Sequence, residues 1–330
     1  MNLLNSDRPL HEYEGKKVLV TGGAGFVGSN LVRALLSYGA DVTIIDDLFT
    51  GTTEKLEGLA GYRFIEGDVR NEQLIQNLAG EFEYVFHLAA RNIIVSSTNP
   101  KDDYSVNIGG TLNLLMALRH SRNLKKFVYA SSASVYGNPR RLPINEDDRT
   151  DVLSPYSVSK LGGEHYTKVF CVNDDLPSVI VRYSNVYGMN QSPGEAYCGV
   201  IGRFIEKVRH DEPPLIHGDG QQTRDFTYIE DTVDATLLAG IMPRSTGDVL
   251  NVGTGIETDI NTLVRLIIEL HGKHLTPVYV DRRDIDNIRR RVLNIDKIRQ
   301  ELRWIPHYTL KAGLEKTIAW CELKQSIHNK

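Results

Sequence analysis

Cysteine is scarce in this chain. The three present among 330 residues, Cys171, Cys198 and Cys321, lie far from one another and from paired histidines, so neither a disulfide framework nor a zinc site is indicated. Long apolar runs are missing too, and nothing approaches the roughly 20 residues of a membrane span. The first dozen residues, Met1 to Glu12, carry acids and Pro9 where an export signal would be basic and then apolar. An excess of charge of one sign is also lacking. With 38 Lys and Arg against 42 Asp and Glu, the formal net charge is -4, and no basic tract offers a surface for nucleic acid or an anionic membrane. These absences predict a cytosolic protein without metal that works on small molecules. No internal repeat or low-complexity linker interrupts the chain, whose 41% hydrophobic content suffices for one substantial core with a second lobe.

What is present begins with Val18-Leu19-Val20-Thr21, a buried strand that runs straight into Gly22, Gly25 and Gly28. Glycines at this spacing permit a tight strand-to-helix turn, let the backbone approach a pyrophosphate, and let the following helix pack closely on the sheet. The phosphates would sit on the positive helix N-terminus, beside Phe26 and Val27. An amphipathic helix follows (Leu31, Val32, Leu35, Leu36), and then the strand Val42-Thr43-Ile44-Ile45, which ends on Asp46. A carboxylate at this place accepts hydrogen bonds from ribose hydroxyls and repels the extra phosphate of NADP. Asp46, with Asp47 beside it, therefore predicts NAD as the cofactor.

Further strands at Tyr62 to Ile65, Tyr84 to Leu88, Phe127 to Ala130 and Val179 to Val181 alternate with helix-length segments. That rhythm predicts an α/β fold with a doubly wound parallel sheet. One long crossover helix is expected from Pro100 to His120, and another starting at Pro155. After about Tyr183 the elements shorten and Gly and Pro increase, with a polar stretch at Gln191-Ser192-Pro193-Gly194. The expected division is a dinucleotide-binding domain over 1–182 and a smaller substrate lobe over 183–330, with 225–255 returning to the large sheet through Val249 to Val252.

Ligands bind beyond the carboxyl ends of such strands. Two segments are placed there: Ser131 to Gly137, and Tyr156-Ser157-Val158-Ser159-Lys160. Tyr and Lys four apart share a helix face, so the Lys160 ammonium can stabilise a Tyr156 phenolate; together with the positive charge of a nearby oxidised nicotinamide it would lower the tyrosine pKa toward neutrality, making Tyr156 a general base. Tyr13 and Lys17 share the spacing but precede the first strand, with no site around them.

With these motifs in view, the chain resembles the extended short-chain dehydrogenases/reductases, in the branch of nucleotide-sugar epimerases and dehydratases, and is most similar to the UDP-glucose/UDP-N-acetylglucosamine 4-epimerase type. The likeness runs through Thr21 to Gly28, Asp46 to Gly51, Gly67 to Arg70, His87 to Ala90, Asn107 to Thr111, Ser131 to Gly137, Tyr156 to Lys160, Arg182 to Gly188, Gly218 to Phe226 and Asn251 to Gly255. It implies that Asp68 and Val69 meet the adenine end of NAD, that Leu88, Ala89 and Ala90 meet the pyrophosphate and nicotinamide ribose, and that Tyr183 lies by the nicotinamide. Ser132 would hold the sugar hydroxyl being oxidised and relay its proton to Tyr156. Ser134, Asn185, Val200 and Arg224 would contact the substrate, a nucleotide-diphosphate sugar and most readily a UDP-sugar, with Asn185 and Arg224 on its diphosphate. Arg291 falls by the position that limits the C2 substituent.

The subclass rests on residue types. Dehydratases of this family carry Asp-Glu after the catalytic Ser or Thr, since eliminating water needs an additional acid and base, and the related decarboxylases keep a Glu there. Here the residues are Ala133 and Ser134. What remains is oxidation at C4, rotation of the keto sugar and reduction from the other face, a 4-epimerisation, with a dehydratase, decarboxylase or reductase as the alternatives. A non-catalytic module would lack Tyr156 or Lys160, and an RNA-binding member would be basic. The chain departs from the family pattern at Ser184, at Arg91 where Gln is frequent, and in the arginines from Arg282 to Arg291. The resemblance also implies a homodimer, in which the helices carrying Leu112, Leu115, Met116 and Tyr166, Val169, Phe170 pair across a two-fold axis.

Overall fold

The computed structural model describes residues 9–191, 199–243, 246–282 and 288–328. Cys198, Ser192 to Gly194 and Arg283 to Asn287, named above, lie outside these. The first half of the chain alternates as predicted: β1 (Lys17–Thr21), α1 (Phe26–Ser37), β2 (Asp41–Asp46), β3 (Tyr62–Glu66), α2 (Glu72–Leu78), β4 (Tyr84–His87), α3 (Ile93–Thr98), α4 (Pro100–Asp103), α5 (Thr111–Leu118), β5 (Lys126–Ser132), α6 (Pro155–Asn173) and β6 (Ser178–Tyr183). Shorter elements follow: β7 (Asn185–Tyr187), α7 (Val200–Arg209), β8 (Leu215–His217), β9 (Thr223–Arg224), β10 (Phe226–Tyr228), α8 (Ile229–Ile241), β11 (Val249–Val252), β12 (Thr258–Asp259), α9 (Ile260–Leu270), β13 (Val278–Val280), α10 (Asp296–Leu302) and α11 (Leu310–His328).

Seven strands form one sheet in the order β3-β2-β1-β4-β5-β6-β11, and every pairing in it is parallel. Both faces are covered, as the near-continuous apolar runs require. Successive residues point to opposite faces, so Val18 and Val20 join Leu31, Leu35 and Leu238 in one core, while Leu19 joins Leu114, Leu115 and Phe170 in the other. The strand order reverses between β1 and β4, and this switch point opens a crevice at the carboxyl ends. The substrate-lobe segments add three two-stranded pieces, β7 with β10, β9 with β12 and β8 with β13.

The long crossover helix expected from Pro100 to His120 is corrected in one respect. Between α4 and α5 the segment Tyr104–Gly110 winds as a π-turn, and helical structure ends at Leu118. The wider turn brings Asn107 inward, where its amide nitrogen donates to the Arg91 carbonyl at 3.1 Å and its oxygen accepts from the Arg91 N–H at 2.7 Å. These bonds replace regular α-helical pitch with a tie between two loops. Pro155 does open α6, preceded by a capping box in which Ser154 and Ser157 each accept from the other's backbone N–H.

Candidate active site

The crevice holds a cavity of about 320 Å³, lined among others by Gly22, Gly25, Phe26, Val27, Gly28, Asp46, Asp47, Asp68, Val69, Leu88, Ala89, Ala90 and Tyr156. Fifteen residues were proposed from sequence for the cofactor (Asp46 and the three glycines among them), and the two absent from this lining are Lys160 and Tyr183. Gly22 adopts φ +72°, and a side chain there would meet Ala89 N at 2.7 Å. Gly25 caps α1 without any side-chain hydrogen bond, which leaves the first N–H groups of that helix to an anion. At the other end of the cavity wall, Asp46 accepts from Ala24 N at 2.8 Å on one oxygen and from Leu48 N at 2.9 Å on the other. Burial raises its pKa above the usual carboxylate value while these two bonds lower it. The bonds fix the carboxylate rigidly and leave lone pairs for ribose hydroxyls. The residues present therefore fit a dinucleotide with its pyrophosphate on α1 and a ribose on Asp46.

The chemistry-bearing residues meet at the far end. Ser132 closes β5, and its Oγ accepts from Ser134 N at 3.1 Å, so its own proton is free to go to the Tyr156 hydroxyl, with which it is hydrogen-bonded. Lys160, one turn further along α6, is buried. Its Nζ donates to Ala130 O at 2.8 Å and lies 6.0 Å from the centre of the Tyr156 ring. Among the protein's own groups, burial governs the acidity of this pair. Burial pushes Tyr156 up to about 12, only partly offset by the Ser132 bond, and pushes Lys160 down to about 8 against the pull of Asp103 and Glu164. The physical reason is that both groups are desolvated together, and the ammonium is turned to a backbone carbonyl instead of the phenol oxygen. A phenolate here needs further positive charge.

Behind the pair runs a directional hydrogen-bond chain that sequence reasoning missed. Thr111 Oγ1 donates to Asn107 O at 2.6 Å, so it must accept from His87 Nε2, 2.9 Å away. The other ring nitrogen then accepts from Thr21 Oγ1 at 2.7 Å. Burial drives His87 down to about 3, which keeps it neutral in this tautomer. Asn107 also donates to Ser159 at 3.0 Å and, with Ser159 and Ser96, to Asp103 Oδ1. The glycine turn, the π-turn and α6 are thus one network. Only the His-Leu-Ala-Ala and Asn-x-x-Gly-Thr patterns hinted at it.

The remaining proposed residues are more dispersed. Tyr183 turns its hydroxyl to Thr236 in α8, 2.9 Å away. Asn185 opens β7 and its N–H is held by Asp225 O, and Val200 begins α7. Ser134 Oγ is buried and has no hydrogen-bond partner among the described residues. Arg224 is buried and donates to Thr223 O and Ile288 O, both at 2.8 Å, while Asp225 instead accepts from Thr254, Gly255 and Leu293. Arg291 is buried as well. Arg289 forms a two-pronged pair with Asp219, and Arg290 another with Glu257, so neither guanidinium is an uncommitted charge. Tyr13, the control for the Tyr-Lys spacing, is fully buried with its hydroxyl on Leu237 O.

A nucleotide crevice with a Ser-Tyr-Lys set at one end is matched by a family model, "NAD dependent epimerase/dehydratase family", over residues 18–253. The chain belongs to that family. Within it, a putative UDP-glucose 4-epimerase of Methanocaldococcus jannaschii is 39% identical over 307 residues, covering 92% of this chain and 97% of the relative. Among solved structures, an epimerase of Methanothermobacter thermautotrophicus superposes with a TM-score of 0.92 at 35% identity, covering 97% of this chain and 96% of that one. A UDP-glucuronic acid 4-epimerase of Bacillus cereus, solved with UDP-glucuronic acid and NAD, gives 0.85 at 33%, covering 93% and 99%. Family members with other reactions match too, such as a UDP-N-acetyl-α-D-glucosaminuronate decarboxylase of Bacillus cytotoxicus, 32% identical over 92% of this chain and 97% of the relative. The protein is thus an NAD-dependent enzyme of the epimerase/dehydratase family. Among its described residues no helix is long and apolar enough to cross a membrane, and no cluster of metal-ligating side chains occurs.

Proposed function

We propose that this enzyme interconverts the C4 epimers of a UDP-linked sugar. The observation that carries the reading is the make-up of the catalytic end: Ser132, Tyr156 and Lys160 assemble one acid–base system, and the residues that follow Ser132 are Ala133 and Ser134. Elimination across C5 and C6 would require a second acid and base. NAD, when bound, supplies reversible oxidation and reduction at the sugar carbon. The protein's part is to move one proton. Ser132 receives the C4 hydroxyl proton and passes its own to Tyr156, and the same path runs backward after the keto sugar has turned over. Lys160 holds the phenolate by its charge. Arg224 and Asn185 are assigned to the diphosphate and Arg291 to the neighbourhood of the C2 substituent, with Ser134 and Val200 completing the sugar pocket; a buried guanidinium suits phosphate oxygens.

The enzyme is further read as a homodimer. On the helices flanking the second core, Leu112 is partly buried and Leu115 and Phe170 are core residues. Tyr104, Met116, Val158, Tyr166, Val169 and Val172 are exposed, more apolar surface on α5, α6 and the π-turn than a monomer retains. A second copy of the same face is the occupant this symmetry favours. The activity itself is tested by incubating the purified protein, without added cofactor, with UDP-glucose, UDP-N-acetylglucosamine and UDP-glucuronate separately. Proton NMR should show the C4 epimer of at least one. Accumulation of a 4-keto-6-deoxy sugar or release of carbon dioxide would replace this reading.

A further inference from the structure

Where the family often has Gln, this chain has Arg91, and its side chain is only 6% exposed. The guanidinium lies between two carboxylates, with Nη1 2.9 Å from Asp47 and Nε 2.6 Å from Asp102. Its flat face stacks on Phe49, 3.9 Å from the ring centre. Asp102 also accepts from Arg70 at 2.9 Å, and Arg70 reaches on to Asp68 at 2.8 Å. The result is a line of alternating charges, Asp47, Arg91, Asp102, Arg70 and Asp68. It ties together the loops after β2, β3 and β4 and the helix α4.

Asp47, Asp68 and Arg91 all line the cavity, on the side where Asp46 would hold the ribose. The Arg91 main chain is clamped in both directions by the Asn107 amide, so the side chain works from a fixed base. Phe49, although 47% exposed, is retained by the stack and sits in the loop whose Asp47, Thr50 and Gly51 form one wall of the cavity. The ends of that loop are held by Leu48 N on Asp46 and Thr52 N on Ala24 O, and Arg91 adds a side-chain tie to it from the loop after β4. The outer Arg70–Asp68 pair, whose arginine is 41% exposed, contributes little by comparison, because solvent screens it. Arg91 is buried and charge-assisted on two sides, the condition under which such bonds are strong.

We propose that Arg91 is the bolt of a clasp over the adenosine end of bound NAD, setting how slowly the cofactor leaves. The idea goes beyond the epimerase reading and depends on the NAD site alone, so it stands or falls whatever the sugar proves to be.

The test uses the full-length protein loaded with NAD and mixed with a large excess of isotopically heavy NAD, the replacement of bound by heavy cofactor being followed by native mass spectrometry. Arg91→Gln should exchange about tenfold faster or more, since it removes the charged tie between the loop after β4 and the loop that carries Asp47 and Phe49. Arg91→Lys keeps the charge but loses the fork and the stack, and should fall between. Exchange of Arg91→Gln within twofold of the parent overturns the proposal. Should that variant not fold, Phe49→Ala, which removes only an exposed ring, decides it: exchange about threefold faster or more supports the clasp, and a rate within twofold of the parent refutes it.

Discussion

Replacing Lys160 by Met separates the charge of this residue from its bulk. The ammonium lies 6.0 Å from the Tyr156 ring centre. At an effective dielectric constant of about 20, a unit charge at that distance favours the phenolate by about 3 kcal/mol, or roughly a hundredfold in the ionised fraction. Burial already pushes Tyr156 up to about 12 with Lys160 in place; without the ammonium the phenol rises further, and turnover at pH 7 should fall about a hundredfold. Stability should not follow. Lysine's ordinary 10.5 is reduced to about 8 in the fold, so keeping the side chain charged at neutral pH costs the native state about 3 kcal/mol. The unfolded chain binds the extra proton between those values, hence that cost fades as pH rises through this window. Methionine removes the cost and forfeits the bond to Ala130 O, so the urea midpoint at pH 7 should be no lower than the parent's. The assay is kcat/KM for the UDP-sugar substrate from pH 6 to 10. The deficit should be largest near pH 7 and narrow toward pH 10, because the parent's Lys160, lowered to about 8, loses its proton over that range. A deficit below about threefold at pH 7, or one that is constant with pH, would refute the electrostatic role.

Three further outcomes are expected. Asp46→Asn should weaken NAD binding and cut its preference over NADP by about tenfold or more, because the charge that repels a 2′-phosphate is gone; titrations with both cofactors would show it, and an unchanged ratio would move the selectivity to Asp47. Glu164→Ala leaves Arg182 buried without the carboxylate that grips it at 2.8 and 2.6 Å, and should lose about 3–5 kcal/mol in urea unfolding, a loss under 1 kcal/mol counting against that network. Light scattering at low micromolar concentration should give about twice the 37.0 kDa of one chain, and Val169→Glu combined with Val172→Glu should reduce it to one; a parent that is already monomeric and fully active would dismiss the interface.

The sheet was legible because its strands are buried on both sides and read as unbroken apolar runs, and the glycine turn because Gly22 and Gly28 answer to steric demands that only glycine meets. A methyl at Gly28, for instance, would overlap the Gly22 carbonyl. Tyr156 and Lys160 were singled out by their spacing and the segment Ser131 to Gly137 by its strand end, while the role of Ser132 came from the family resemblance. What the sequence could not yield depends on tertiary partners. The π-turn at Tyr104–Gly110 forms because Asn107 bonds to a loop 16 residues earlier, which no helical periodicity reveals. Arg91 stood out only as a departure, and its two carboxylates arrive from the loop after β2 and from α4. The acidity of Tyr156 was expected near neutrality from the combined charges of Lys160 and an oxidised nicotinamide; burial, which opposes both, is invisible in a four-residue spacing.

The central claim, that one acid–base group and a tightly held NAD invert C4, is tested most directly with a UDP-sugar carrying deuterium on C4, incubated with the purified enzyme and no added cofactor. The account predicts the C4 epimer with the deuterium still on C4, and no such product from Tyr156→Phe, whose turnover should fall about 100- to 10,000-fold while NAD stays bound. Epimer that has lost its deuterium to solvent, deuterium found on C6 of a deoxy product, or a Tyr156→Phe rate within twofold of the parent would contradict it.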